Sequence, residues 1–152
     1  MPVIVVGADT PLGEATMDAL LPRDSEVRAF VTSAETAAAL RSRGVKVALG
    51  DVSDGSHVGG AALNAFCAVL IHSAATDDRE RSFADDAAEV LAAWVEGLNE
   101  AAIKRVVVAW DDPPADVLSA IEAPTAIVSV TGRPTADVAA EIAELEDVAQ
   151  LP

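Results

Sequence analysis

Short apolar runs alternate along this chain with longer stretches whose apolar residues recur at helical spacing, the pattern of parallel strand–helix–strand units. Strands are predicted near 2–7, 26–31, 45–49, 67–72, 104–109 and 125–130, with helices near 11–21, 34–43, 56–65, 81–102, 114–121 and 135–149. Several ends carry their own signals. Gly7 follows the β-branched run Val3-Ile-Val-Val6, and Thr10-Pro11 reads as an N-cap followed by the first helical position. Ser33 can cap the second helix, Gly44 sits where a left-handed residue ends it, and Asp111-Asp-Pro-Pro114 breaks the chain after the fifth strand. Gly59-Gly60 weakens the third helix. The right-handed crossover rule then predicts a three-layer α/β fold. Its doubly wound parallel sheet has the order 3-2-1-4-5-6 in one domain over residues 1–152.

The helix near 81–102 carries Phe83, Ala87, Val90, Leu91, Trp94, Val95 and Leu98, a stripe wider than one narrow face. Such a stripe serves either a broad core contact or a subunit seam, and a homodimer through this helix is the expectation. The net charge of −15 makes nucleic acid and anionic membrane poor partners, because both need clustered Lys and Arg. The carboxylates spread over the predicted helices as a solvated surface; the scarcity of lysine, only Lys46 and Lys104, also suits high-salt adaptation or a coding bias. No apolar run approaches the ~20 residues of a membrane span. The apolar N-terminus lacks a basic leader, so a cytoplasmic location is expected. A single cysteine, Cys67, excludes an internal disulfide and agrees with a reducing compartment.

Strand, glycine turn and helix at 3–13 form the phosphate-facing corner of a Rossmann unit, where the first helical turn aims free N–H groups at an anion. Other segments extend the pattern. Gly7-x-x-x-x-x-Gly13 resembles the glycine loop of extended and atypical short-chain dehydrogenase/reductases, including the NAD-dependent epimerase/dehydratase and NmrA-like groups, whose usual form is G-x-x-G-x-x-G. Val27-Arg-Ala-Phe-Val31 is similar to their second strand. Gly44-Val-Lys-Val-Ala-Leu-Gly-Asp51-Val-Ser-Asp54 is similar to their third strand and the turn after it. Cys67-Ala-Val-Leu-Ile-His72-Ser-Ala-Ala75 resembles the fourth strand, Ala102-Ile-Lys-Arg-Val-Val-Val108 the fifth, and Thr135-Ala-Asp-Val-Ala-Ala140 a late helix. The resemblance implies NAD or NADP as ligand. It implies that Gly7, Asp9, Thr10, Pro11, Leu12 and Gly13 hold the pyrophosphate, with Thr32 at the end of the second strand. It further implies that Asp51 and Val52 lie against the adenine, and that Ser73, Ala74 and Ala75 run beside the ribose toward the nicotinamide.

The chain also departs from that family. Thr10 replaces the middle glycine that lets backbone approach a pyrophosphate, although its hydroxyl could donate to a phosphate oxygen. Asp9 and Glu14 flank the same corner and would repel an anion. Val31-Thr32-Ser33 offers neither an arginine for a 2′-phosphate nor a carboxylate for a ribose, so little preference between NAD and NADP is expected. There is no tyrosine and no lysine after Lys104, so the family's Tyr/Lys proton-transfer pair is missing. Val130-Thr-Gly-Arg-Pro134 leads almost directly into the last helix, leaving no room for a substrate-binding insertion.

The remaining chemistry-bearing residues are sparse. His57 and His72 are the only histidines; His57, Asp51 and Asp54 match no metal-ligand spacing. Cys67 reads as inert core, and Asp77-Asp78 and Asp111-Asp112 as solvated turns. The leading expectation is a nucleotide-binding protein without the usual dehydrogenase residues, acting as sensor, regulator or accessory subunit. An active oxidoreductase or epimerase with a different site, and an interaction module that has lost the nucleotide, remain open.

Overall fold

A computed structural model describes residues 1–76 and 78–152. Its elements are β1 (Val3–Val6), α1 (Pro11–Leu20), β2 (Val27–Val31), α2 (Ala34–Ser42), β3 (Lys46–Leu49) and α3 (Gly55–Ala61). There follow β4 (Cys67–Ile71), a 3₁₀ turn (His72–Ala75), α4 (Ala87–Glu100), β5 (Arg105–Ala109), α5 (Ala115–Ser119), β6 (Thr125–Val128) and α6 (Thr135–Asp147). The six strands form one sheet in the order β3-β2-β1-β4-β5-β6. Every pairing is parallel, as the alternation predicts.

The central strands β1, β4 and β5 are buried along their whole length, which is why they read as unbroken apolar runs. Successive residues of β1 nonetheless serve opposite faces. Val3 and Val5 pack with Met17, Leu20 and Ile142 of α1 and α6, whereas Ile4 and Val6 pack with Leu91, Trp94 and Leu98 of α4. Trp94 and Leu98, the residues that suggested a subunit seam, are fully buried inside the chain, so the wide stripe on α4 is accounted for by the core. No helix among the described residues is long and apolar enough to cross a membrane.

The helix expected over 81–102 begins six residues later. Asp86 caps it by accepting from Glu89 N–H at 2.9 Å, and the Glu89 carboxylate reaches back to accept from Asp85 N–H at 2.7 Å. This reciprocal arrangement resembles a capping box and frees residues 81–86 from the helix. The expected third helix, 56–65, is the shorter α3, and its glycines have a packing reason. A Cβ on Gly59 would stand 2.6 Å from the Gly97 carbonyl oxygen, and one on Gly97 would stand 2.1 Å from that of Gly55. The backbones of α3 and α4 touch through these positions.

Gly97→Ala should therefore destabilise the protein by about 1–3 kcal/mol through overpacking. Gly60→Ala, in open space on the same helix pair, should stabilise it by about 0.5–1 kcal/mol. Urea unfolding of the two variants checks both signs.

Candidate nucleotide-binding edge

The loop between β1 and α1 is held by contacts that only its own residue types allow. Gly7 has φ +98°, and a Cβ there would meet the Ala74 Cβ at 2.5 Å. A Cβ on Gly13 would lie 1.9 Å from the Gly7 carbonyl oxygen, so the first turn of α1 can press against the loop only with glycine there. Thr10 closes the corner from inside. Its Oγ1 accepts from Gly13 N–H at 2.9 Å and donates to the Gly7 carbonyl at 2.7 Å, and the residue is 1% exposed. The Thr10 hydroxyl is thus committed to the loop and is not presented to a phosphate. Its side chain also does not crowd the outer face of the loop.

That bridge changes what α1 offers to an anion. Pro11 is the first helical residue and has no N–H, and Gly13 N–H is taken by Thr10. Among the described residues the N–H groups of Ala8, Asp9 and Leu12 have no partner within the chain. Three N–H groups at this corner are therefore unpartnered, only one of them from the helix turn.

The Asp9 carboxylate is engaged within the fold. The side chain is 2% exposed and turns toward the end of β2, where Oδ2 accepts from Thr32 N–H at 2.9 Å and Ser33 N–H at 3.0 Å. The Arg79 guanidinium lies 2.9 Å from the same oxygen. The expectation that Asp9 repels a diphosphate is corrected: its charge is answered by two amides and a cation. The end of β2, which lacks a carboxylate and a cation in its own sequence, receives both from elsewhere. Thr32 contributes its backbone only. Glu14 is exposed in the first turn of α1, where an acidic residue suits the helix dipole.

The turn after β3 is equally engaged. Asp51 accepts from Ser53 N–H at 2.8 Å, Ser53 Oγ–H at 2.6 Å and Ser82 N–H at 2.8 Å. Partial burial pushes the Asp51 carboxyl up, but hydrogen bonds from Ser53 and Ser82 outweigh it and hold the group below its ordinary value. Val52 N–H donates to the Glu80 carbonyl at 3.3 Å, while Trp94 Nε1–H donates to the Val52 carbonyl at 2.6 Å and fixes the turn on α4. Ala74, which lies against Gly7, and Ala75 are buried, and Ser73 is exposed.

At the far end of the edge, His72 stacks on Trp110 with ring centroids 4.2 Å apart. Burial holds the His72 pKa below its ordinary value against the opposing charge of Asp111. Asp111 accepts from the N–H groups of Val130 and Thr131, each at 3.0 Å, and from the Thr131 hydroxyl, which lowers its pKa. It clamps the ends of β5 and β6 together; Asp112, beside it, is exposed. Burial pushes the Cys67 thiol up to about 12. Asp54 is spent as the cap of α3, and His57 packs edge-on to Phe30. Among the described residues no three His, Cys, Asp or Glu side chains gather to hold a metal ion. Of the pair Asp77-Asp78, Asp77 lies outside the described residues.

No protein-family model and no curated protein matches the chain. Solved structures do. ChuY, an anaerobillin reductase from Escherichia coli O157:H7, matches with TM-score 0.70 and 19% identity, over 98% of this chain and 92% of that one. An NADPH-dependent quinone oxidoreductase from Escherichia coli, solved with NADPH, matches with TM-score 0.76 and 16% identity, over 98% of this chain and 66% of that one. A Citrobacter triphenylmethane reductase matches with TM-score 0.67 and 20% identity, over 85% of this chain and 48% of that one. This chain thus spans nearly all of one relative but only about half to two thirds of the others. At such identities the likeness establishes the fold.

The lowered pKa of Asp51 fixes a sign. Its ionised form stabilises the fold above the unfolded value, 3.8, and that stabilisation is lost as pH falls through the lower folded value. The unfolding free energy should therefore drop as pH falls from the unfolded value, 3.8, through the lower folded value, and Asp51→Asn should flatten that slope. Urea titrations at stepped pH measure it.

Proposed function

We propose that this protein binds a nicotinamide adenine dinucleotide weakly at the Gly7–Gly13 corner and serves in the cytoplasm as a sensor, regulator or accessory subunit rather than a dehydrogenase. The observation that carries the binding half is the corner itself, with Ala8, Asp9 and Leu12 N–H groups open around a glycine turn. Weakness follows from Pro11 and Thr10, which remove two donors from the first helical turn. The absence of tyrosine, the clamping of Asp111 and the burial that lowers the pKa of the stacked His72 support the non-catalytic half, since each works against a side-chain proton donor.

One observation favours a second reading, an active reductase. The chain spans 92% of ChuY, a reductase of similar length, so the missing insertion after β6 is no argument against turnover. The acceptor's proton would then come from water. A homodimer would have to use a surface other than the buried residues of α4.

Calorimetric titration with NAD, NADH, NADP and NADPH tests the binding half. Dissociation constants from tens to hundreds of micromolar are expected, by analogy with an anion site short of two charge-assisted hydrogen bonds. Pro11→Ala restores one donor and should tighten binding about tenfold. Gly7→Val should abolish it by filling the turn. Absence of binding at millimolar ligand would leave only an interaction module. Turnover of NADH or NADPH with a panel of quinones and carbonyls would replace the non-catalytic reading with the reductase.

A further inference from the structure

Asp51 and Val52 set an acceptor beside a donor: a carboxylate and a backbone N–H. That pair complements an adenine edge, where an amino donor stands next to a ring-nitrogen acceptor. In the folded chain both partners are already taken by the backbone of one short segment. Ser82 N–H donates to Asp51 Oδ2 at 2.8 Å, and the Glu80 carbonyl accepts from Val52 N–H at 3.3 Å. The segment is anchored at both ends, by Arg79 on the Asp9 carboxylate at 2.9 Å and by Phe83 N–H on Ser53 Oγ at 3.0 Å.

We propose that residues 79–83 form a strap that occupies the adenine half of the cleft, so that an adenine-bearing ligand engages Asp51 and Val52 only when the strap lifts. The inference rests on the nucleotide-binding reading above. Val52 is 2% exposed, so no base reaches its N–H while the Glu80 carbonyl is in place.

The strap is held at its near end by Arg79 on Asp9 and by Arg81 Nη1 on the Ala75 carbonyl at 3.1 Å, and is held more weakly over the turn after β3. Its contacts to the turn are polar, and its one large apolar side chain, Phe83, is 69% exposed and adds little burial. The 3.3 Å bond to Glu80 is long. Because α4 starts at Ala87 with its own cap on Asp86, the strap can lift without unwinding that helix. On the other side the chain is anchored by Ala74 and Ala75 in the core. A strap closed about nine-tenths of the time would weaken an adenine ligand about tenfold.

Ser82→Pro deletes the N–H that Asp51 accepts and leaves Asp51 and Val52 untouched. Calorimetry should compare this variant with the unmodified protein for NAD, ADP-ribose and nicotinamide mononucleotide. NAD and ADP-ribose should bind about tenfold tighter to the variant, while the mononucleotide, which has no adenine, should be unchanged. A folded variant that binds NAD and ADP-ribose no tighter overturns the strap. Hydrogen exchange on the unmodified protein gives a second measurement. Saturating ADP-ribose should speed exchange of the Ser82 and Phe83 amides, and slowing or no change overturns the proposal. If the unmodified protein binds NAD and the variant gains nothing, the strap alone fails. If no nucleotide binds either protein at millimolar concentration, the nucleotide reading fails and the strap with it.

Discussion

Backbone amides left over at the carboxyl ends of parallel strands need partners, and the loops of this protein supply them as aspartates. Asp9 takes two amides at the end of β2, and Asp111 takes two beyond β6. Asp51 takes Ser53 and Ser82 beside β3. Each bond joins a negative group to a backbone N–H; those of Thr32, Ser33, Ser53 and Val130 are half-buried, those of Ser82 and Thr131 exposed. The loops that these carboxylates hold together are the ones that shape the cleft. Much of the anion-binding capacity of the edge is therefore met from within, and the glycine corner is where open donors remain.

This division gives the cleft an uneven character. Around Gly7–Gly13 the Thr10 and Asp9 side chains are engaged within the fold, and Arg79 Nη2 donates to the Asp9 carbonyl at 3.4 Å. Beside β3 the Asp51 carboxylate and the Val52 N–H are in use by the segment that precedes α4. At the β4 and β5 ends His72 is stacked on Trp110, with its pKa lowered by burial, and Asp111 is clamped on Thr131. Binding and chemistry are separable in such an architecture, since a shared fold does not by itself fix function.

The sheet was legible because buried parallel strands are continuous apolar runs and their crossovers have one hand. The start of α4 was misread for a local reason: Phe83 and Ala87 prolong the apolar pattern, while the stop signal lies in the spacing of Asp85, Asp86 and Glu89. The glycine corner was legible from Gly7, Pro11 and Gly13 alone. Where Thr10 and Asp9 point was not, because a side chain's direction in a loop depends on neighbours distant in sequence. Arg79, seventy positions from Asp9, carries no motif that would reveal their pairing. That Pro11 starts α1 was readable; that it also strips a donor from an anion site follows only once Thr10 is seen to take Gly13 N–H.

The central claim is that the open amides of the β1–α1 corner receive a dinucleotide's phosphates. An NMR titration with NAD that follows individual backbone amides tests it most directly. The Ala8, Asp9 and Leu12 resonances should shift together and saturate, with Gly13 moving little because Thr10 already holds its N–H. Shifts confined to other surfaces, or none at millimolar NAD, would contradict it.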